Sequence, residues 1–310
     1  MLIKIILLVS FFSSCSYFKR DNKAETPTAN EALSNKKAFY CAEGKRVLAE
    51  RGFMDSRCDS LLFTALWSTA CGPVDLTSWE DIDTPGKWHR NPNRDCFLNG
   101  QPNGSASSIS RDMFLGLFHH IWSTKDKTMI QDIVNYGEEH NWIMGEAKDN
   151  ETLLSRCLMT PQLISLAKDI KSGLFGLAAT RQSSDDAVGT NVGFRAHLDI
   201  LRILLSGRVR GGVSDSELST LKDQAKRQPH NALYVAAYEK YSGGNHAAEL
   251  LLSQEHFPND RLPTTANHCI NYLHSRDEGD EDWKPCAEAP LKEHDGTDFV
   301  FAAWVVLGEK

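Results

Sequence analysis

Met113–Trp122 reads MFLGLFHHIW, and its apolar residues do not keep to one side. A helix needs a polar face only where it meets water, so one that is apolar nearly all round is buried on every side. Phe299–Leu307, FVFAAWVVL, has the same character. Ser214–Arg227, SDSELSTLKDQAKR, is the opposite case, an amphipathic helix with a wide wet face. Dry helices inside and amphipathic helices outside predict an all-α fold in two layers.

Working outward, helical periodicity dominates the chain from residue 38 onward. It marks Asp59–Ala70, Ser110–Ser123, Lys127–His140, a helix opening at Thr160-Pro161 and ending near Lys171, and then Val192–Leu205. Ser214–Arg227, Asn231–Tyr241, His246–Gln254 and Asp298–Leu307 follow. Short connections join 110–123 to 127–140 and 214–227 to 231–241, which predicts antiparallel helical hairpins. No pair of strands stands out, although a short β segment fits within Gly72–Gly104.

Inner apolar helices paired with outer amphipathic ones resemble the (α/α) toroid of many glycoside hydrolases and polysaccharide lyases. At the level of pattern the resemblance covers Ala38–Lys310, and it rests on helix pairing rather than on a motif. It implies that the first and last inner helices lie side by side, with their N-termini opening into one pocket. Ser110-Arg111-Asp112 precedes the first of them and His294-Asp295-Gly296-Thr297-Asp298 the last. Asp112 and Asp298 would then be the paired acids that glycosidic hydrolysis requires, one protonating the leaving oxygen and one activating water or attacking. β-Elimination is the less favoured reaction. Arg111, His294 and Asp295 would bind substrate, Arg111 through a carboxylate or sulfate. The simpler role of Ser110, Thr297 and the two aspartates is capping and complementing the helix dipole.

Other polar residues are weighed in the same way. Glu146, in Trp142-Ile143-Met144-Gly145-Glu146, is a candidate third acid or a solvated loop residue. His119 reads as a core histidine. Arg195 and Asp199 are spaced to pair, with His197 facing elsewhere. His230-Asn231 reads as a cap. Cys71–Ser110 is long, nearly without periodicity, and rich in residues that contact sugars, with Trp88, His89 and Arg90 as substrate-binding candidates. The acidic run Arg276–Asp282 reads as a solvated loop. Gly-x-Ser-x-Gly, GxxxxGK[ST], HExxH and GxGxxG are absent, which removes the easily read hydrolase and nucleotide classes. No cofactor and no metal site is expected.

The chain has 310 residues, 41% hydrophobic and 24% charged, enough for a sizeable core. Its net charge of −7 argues against a nucleic-acid partner. Met1–Cys15, MLIKIILLVSFFSSC, has Lys4, a short apolar run and small residues before Cys15. That is a secretory signal too short to span a bilayer, and it resembles a bacterial lipoprotein signal. The resemblance implies cleavage after residue 14, lipid on Cys15, and residence in the envelope, with Ser16 favouring the outer membrane. Residues 15–37 read as a polar, disordered tether, and 38–310 as a single all-α domain. Membrane contact is then through the lipid alone.

Eight cysteines, less Cys15, leave seven in an oxidising compartment. Spacing suggests the pairs Cys41–Cys58, Cys71–Cys96 and Cys269–Cys286, with Cys157 a buried thiol. Each pair closes a loop of roughly 17–25 residues and contributes about 3 kcal/mol. The expected partner is a carbohydrate polymer, hydrolysed by paired carboxylates. The competing expectations are a non-catalytic lipoprotein that binds glycan or protein, and a metal-dependent hydrolase using His and Asp.

Overall fold

The computed structural model describes residues 28–54, 58–94, 108–149, 152–177, 196–254, 257–262 and 295–308. Ten α-helices and one two-stranded sheet make up these residues, so the fold is mostly helical. The helices are α1 (Ala29–Arg51), α2 (Ser60–Cys71), α3 (Arg111–Thr124), α4 (Lys127–Glu139), α5 (Pro161–Leu174) and α6 (Ala196–Arg210). They continue with α7 (Asp215–Arg227), α8 (Ala232–Ser242), α9 (His246–Leu252) and α10 (Thr297–Val306). None is long and apolar enough to cross a membrane.

The two driest sequences behave as their composition requires. Met113–Ile121 in α3 and Thr297–Val305 in α10 are buried residue after residue. α2 is buried from Ser60 to Ala70. Start signals are read where the chemistry provides them. Thr160 caps α5 with Pro161 in its first turn, and Ser214 and Glu217 form a reciprocal capping box on α7.

α1 was not legible. Its inward stripe is Leu33, Lys36, Tyr40, Gly44 and Val47, and Lys and Gly interrupt the apolar pattern at the right spacing. Lys36 still lies inward because its amine donates to the Ser253 carbonyl at 3.3 Å and stands over the Phe299 ring, 5.7 Å from its centre. Gly44 lets α1 approach α2 closely, since a Cβ there would run into the Trp67 ring. Residues 29–37, expected in the tether, are therefore helical.

Specific contacts fix the helix directions. α1 and α2 are antiparallel: Cys41 bonds Cys71, and Gly44 faces Trp67. α2 and α3 run the same way, with Gly116 against Leu62 and Ser68 beside His120. α6 runs with α3, because His197 faces Asp112, the Leu201 carbonyl meets His119, and Arg208 meets Ser123. α10 does the same, with Phe301 on His119 and Trp304 on Arg208. α2 packs on α3, α3 on α6, α6 on α8, α8 on α10, and α10 on α2. The N-termini of α2, α3, α6 and α10 consequently share one end of the fold.

The expectation that no strands pair is corrected. The stretch after Trp142 is a hairpin, β1 (Ile143–Asp149) paired antiparallel with β2 (Thr152–Leu158), and Glu146 stands opposite Arg156. Its residues alternate too weakly to announce strands. The 72–104 stretch holds one isolated bridge among its described residues, Glu80 to Trp88.

The disulfide is Cys41–Cys71, with Cα atoms 5.4 Å apart, and neither Cys41–Cys58 nor Cys71–Cys96. The α1–α2 antiparallel pairing sets position 41 opposite 71, which sequence proximity cannot reveal. Cys58 forms no disulfide among the described residues, and Cys157 is buried as expected. Cys15, Cys96, Cys269 and Cys286 lie outside the described residues. A crosslink with a sequence separation of 30 constrains the unfolded chain by about 3–4 kcal/mol. Replacing Cys41 and Cys71 together by Ser is expected to lower Tm by roughly 7–14 °C in a calorimetric scan. An unchanged Tm would show that helix packing alone holds α1.

Candidate functional site

Four polar residues meet where α2, α3 and α6 begin. Asp59 immediately precedes α2, but its side chain does not cap that helix. The carboxylate instead accepts from Arg90 Nη1 at 3.1 Å. Arg90 is held from several sides. Its amide donates to the Ser108 carbonyl at 3.0 Å, and its carbonyl accepts from the Leu61 amide and the Ser60 hydroxyl, both at 3.1 Å. Trp79 Nε1 donates to the same Ser60 oxygen at 3.2 Å. The aromatic loop is thereby stitched to the start of α2.

Asp112 lies in the first turn of α3 and is buried. Its Oδ1 accepts from the Ser110 hydroxyl and, at 3.0 Å, from the Met113 amide. Ser110 therefore spends its hydroxyl on Asp112 and does not cap α3 with it. The other oxygen of Asp112 faces His197 Nε2 at 3.8 Å, and His197 is wholly buried. Asp59 is close enough to feel this pair. Burial raises its carboxyl above the usual range, the Asp112 charge raises it further, and Arg90 and then His197 oppose the shift. Asp59 keeps 31% of its side chain exposed, against 5% for Asp112, so the cluster reaches solvent through Asp59.

The sequence candidates divide. Asp112 is in the cluster, and Arg90 is in it through Asp59. Asp298 is buried in the first turn of α10, which packs on α2. Asp295 is buried too, and its carboxylate accepts from the Thr297 amide at 3.0 Å. Thr297 opens α10 as its first residue, after Gly296, so it does not cap. Arg111, the first residue of α3, is exposed. Glu146 pairs with Arg156 across the hairpin at 3.0 Å. Trp88 is wholly buried, an anchor beneath the loop that offers no ring face to a sugar. His294 lies outside the described residues.

His89 belongs to a separate group around Asp81, with Lys87 and Arg94. Burial alone would raise the Asp81 carboxyl, but hydrogen bonds from His89 and Lys87 outweigh it and bring it down to about 2. His119 is a satisfied core residue, bonded to the Leu201 carbonyl at 3.0 Å. Asn231 caps α8 by accepting from the Tyr234 amide.

Sequence reasoning passed over Asp59 and His197. Asp59 carries the same signal that singled out Asp112, an aspartate just ahead of an almost wholly apolar helix. His197 carried no such signal, because its partner is 85 positions away on another helix. Among the described residues no group of three or more His, Cys, Asp or Glu is arranged to hold a metal ion. The cluster sets a carboxyl whose pKa is raised by burial and by its neighbour beside a carboxylate held by hydrogen-bond donors. No protein-family model matches the chain, and neither a curated protein nor a solved structure matches it.

Proposed function

We propose that the chain is an envelope protein that hydrolyses a glycosidic bond, with Asp59 as general acid and Asp112 as base or nucleophile. The observation that carries this reading is the opposed character of the two carboxyl groups. Glycosidases separate their acids by environment, one protonated by burial and like charge and the other ionised and hydrogen-bonded. Asp59 is raised by burial and by Asp112 and is open to solvent, as a proton donor must be. Asp112 is held by Ser110, the Met113 amide and His197. His197 is then a positioning residue, and Arg90 keeps Asp59 in place. Asp298 remains a third acid, at the start of a helix packed on α2.

The fold reading that goes with it is an (α/α) toroid, with α2, α3, α6, α8 and α10 as inner helices. The circuit of packing among these five supports it, as does the common direction of α2, α3, α6 and α10. Export and lipidation at Cys15, read from the N-terminal sequence, are part of this proposal, which has the reaction act on a glycan of the wall or its surroundings.

The test is reducing-end release from a panel of envelope glycans by wild type and Asp112→Asn, on protein also labelled with a fatty-acid probe. Wild type is expected to carry label and release reducing ends, and Asp112→Asn to lose roughly 10²–10⁴ of the rate with its melt nearly unchanged. Activity that survives Asp112→Asn would remove the site, and absent label would remove the anchor. Absence of turnover with wild type would favour a non-catalytic binding lipoprotein.

A further inference from the structure

Apart from the acid cluster, the molecule has a cleft of about 550 Å³ between α1 and the C-terminal ends of α2 and α10. That volume lies in the range of small-molecule sites. Its walls are Lys37 and Lys45 on α1, the Cys41–Cys71 disulfide, and Trp304 and Leu307 at the end of α10. We propose that this cleft is a second binding site, for a small amphiphile that carries one anionic group on an apolar body.

Charge is the first argument. Among the described residues no acidic side chain lines the cleft, and two lysines do. Eight positions apart on one helix, they are separated by about 12 Å along its axis and face the same side. Among the described residues neither amine is in an ion pair. Lys37 is half-buried, and desolvation lowers its pKa. A cation drawn partly out of water and given no counter-charge is a standing cost that a bound anion removes.

Shape is the second argument. The wall facing the lysines is apolar: Trp304 is 4% exposed, and Leu307 and the disulfide sulfurs extend it. Arg208 stacks on the Trp304 ring with its guanidinium carbon 4.5 Å from the ring centre, which holds the indole in place. The disulfide ties α1 to α2, so the cleft does not depend on a mobile wall. A fixed apolar wall opposite two amines fits a short acyl or alkyl chain ending in phosphate or carboxylate. A lipid headgroup and a free metabolite share that chemistry.

Titration calorimetry of the oxidised full chain with octyl phosphate, octyl glucoside and inorganic phosphate tests the site. Octyl phosphate is expected to bind at one site, at least tenfold tighter than either of the others. Lys37→Gln with Lys45→Gln should weaken it at least tenfold, and Ala42→Phe, which fills the cleft from α1, should abolish it. Both variants carry changes on exposed or half-buried positions, and thermal melts check that they fold. In the Cys15→Ser background, which carries no lipid anchor, cosedimentation with phosphatidylglycerol vesicles that Ala42→Phe abolishes would assign the site to a lipid headgroup. Cosedimentation absent in that background, beside intact octyl phosphate binding, would assign it to a free amphiphile. No binding of octyl phosphate, equal binding of inorganic phosphate, or binding unchanged in both variants would each overturn the proposal. None of these readouts depends on glycan hydrolysis.

Discussion

Acidification from pH 6.5 to pH 4 is expected to remove several kcal/mol of stability, with His119 and His120 as the main cause. Both imidazoles sit inside α3, and burial holds them neutral. His119 Nε2 faces the Leu201 carbonyl at 3.0 Å, so that nitrogen carries the hydrogen and Nδ1 accepts from Arg208 Nη1 at 3.4 Å. A second proton would face the Arg208 guanidinium. Burial first, and Arg208 second, lower His119 to about 3. His120 Nδ1 lies 3.0 Å from the Ser68 hydroxyl, whose oxygen accepts from the Val74 amide and whose hydrogen can serve the neutral ring. Burial lowers His120 to about 4, against a smaller opposing effect of Asp126.

The direction follows from proton counts. Below pH 6.5 the unfolded chain protonates these histidines while the folded chain does not, until about pH 4 for His120 and about pH 3 for His119. The unfolded state binds more protons in that window, so stability falls as pH falls. At about 1.4 kcal/mol per pH unit, each histidine accounts for about 3–5 kcal/mol by the end of its window. Above pH 6.5 neither contributes to the slope. Asp81, brought down to about 2, adds its own loss only below the ordinary aspartate range. Tm measured from pH 7.5 to 4 should therefore drop steeply in wild type. His120→Asn, whose amide oxygen can accept from Ser68, should drop less over the same range. A wild-type Tm that stays flat to pH 4 would contradict the assignment.

The two histidines also mark how far sequence reading reached. The helix containing them was legible because its apolar residues surround it, and burial of MFLGLFHHIW followed from that composition alone. α5 was legible at its start because Thr160 and Pro161 are local signals for a local event. α1 was hidden because its inward stripe includes Lys36 and Gly44, whose reasons for being inside are a carbonyl on a distant loop and a Trp ring on α2. The disulfide was misread for a related cause. Cys41 meets Cys71 because two helices run antiparallel, and nothing near either cysteine encodes that. The site divides along the same line. Asp112 was identifiable from its place ahead of an apolar helix, and Asp59 has the same place ahead of SLLFTALW. His197 and the Asp59–Arg90 pairing depend on which helix ends share a corner, which is a property of topology. The aromatic loop misled in the opposite sense, because Trp79 and Trp88 anchor it from beneath.

Asp59→Asn is expected to remove the proposed hydrolysis while leaving the protein at least as stable at pH 7. The two effects have one origin. Burial and the neighbouring Asp112 raise the Asp59 carboxyl despite the Arg90 contact. Between the ordinary aspartate pKa and this raised value, the folded chain binds the proton and the unfolded chain does not. Stability therefore declines as pH rises through that window, and the loss persists at neutral pH. Asn resembles the protonated carboxyl in size and polarity but never ionises, so it escapes that loss. It keeps an oxygen to accept from Arg90 and cannot give up a proton to a leaving group. A general acid is worth roughly 10²–10⁴ in rate, which is the expected fall in reducing-end release. Asp112→Asn should lose similar activity without the gain in stability, because its carboxylate is bonded to the Met113 amide and faces His197. Comparison of melts at pH 4 and pH 7 separates the two. The Asp59→Asn advantage should be present at pH 7 and shrink toward pH 4. An Asp59→Asn protein less stable than wild type at pH 7 would mean that the Arg90 ion pair outweighs the cost of the charge. Full activity in that variant would take Asp59 out of the chemistry and leave Asp112 to be paired with Asp298.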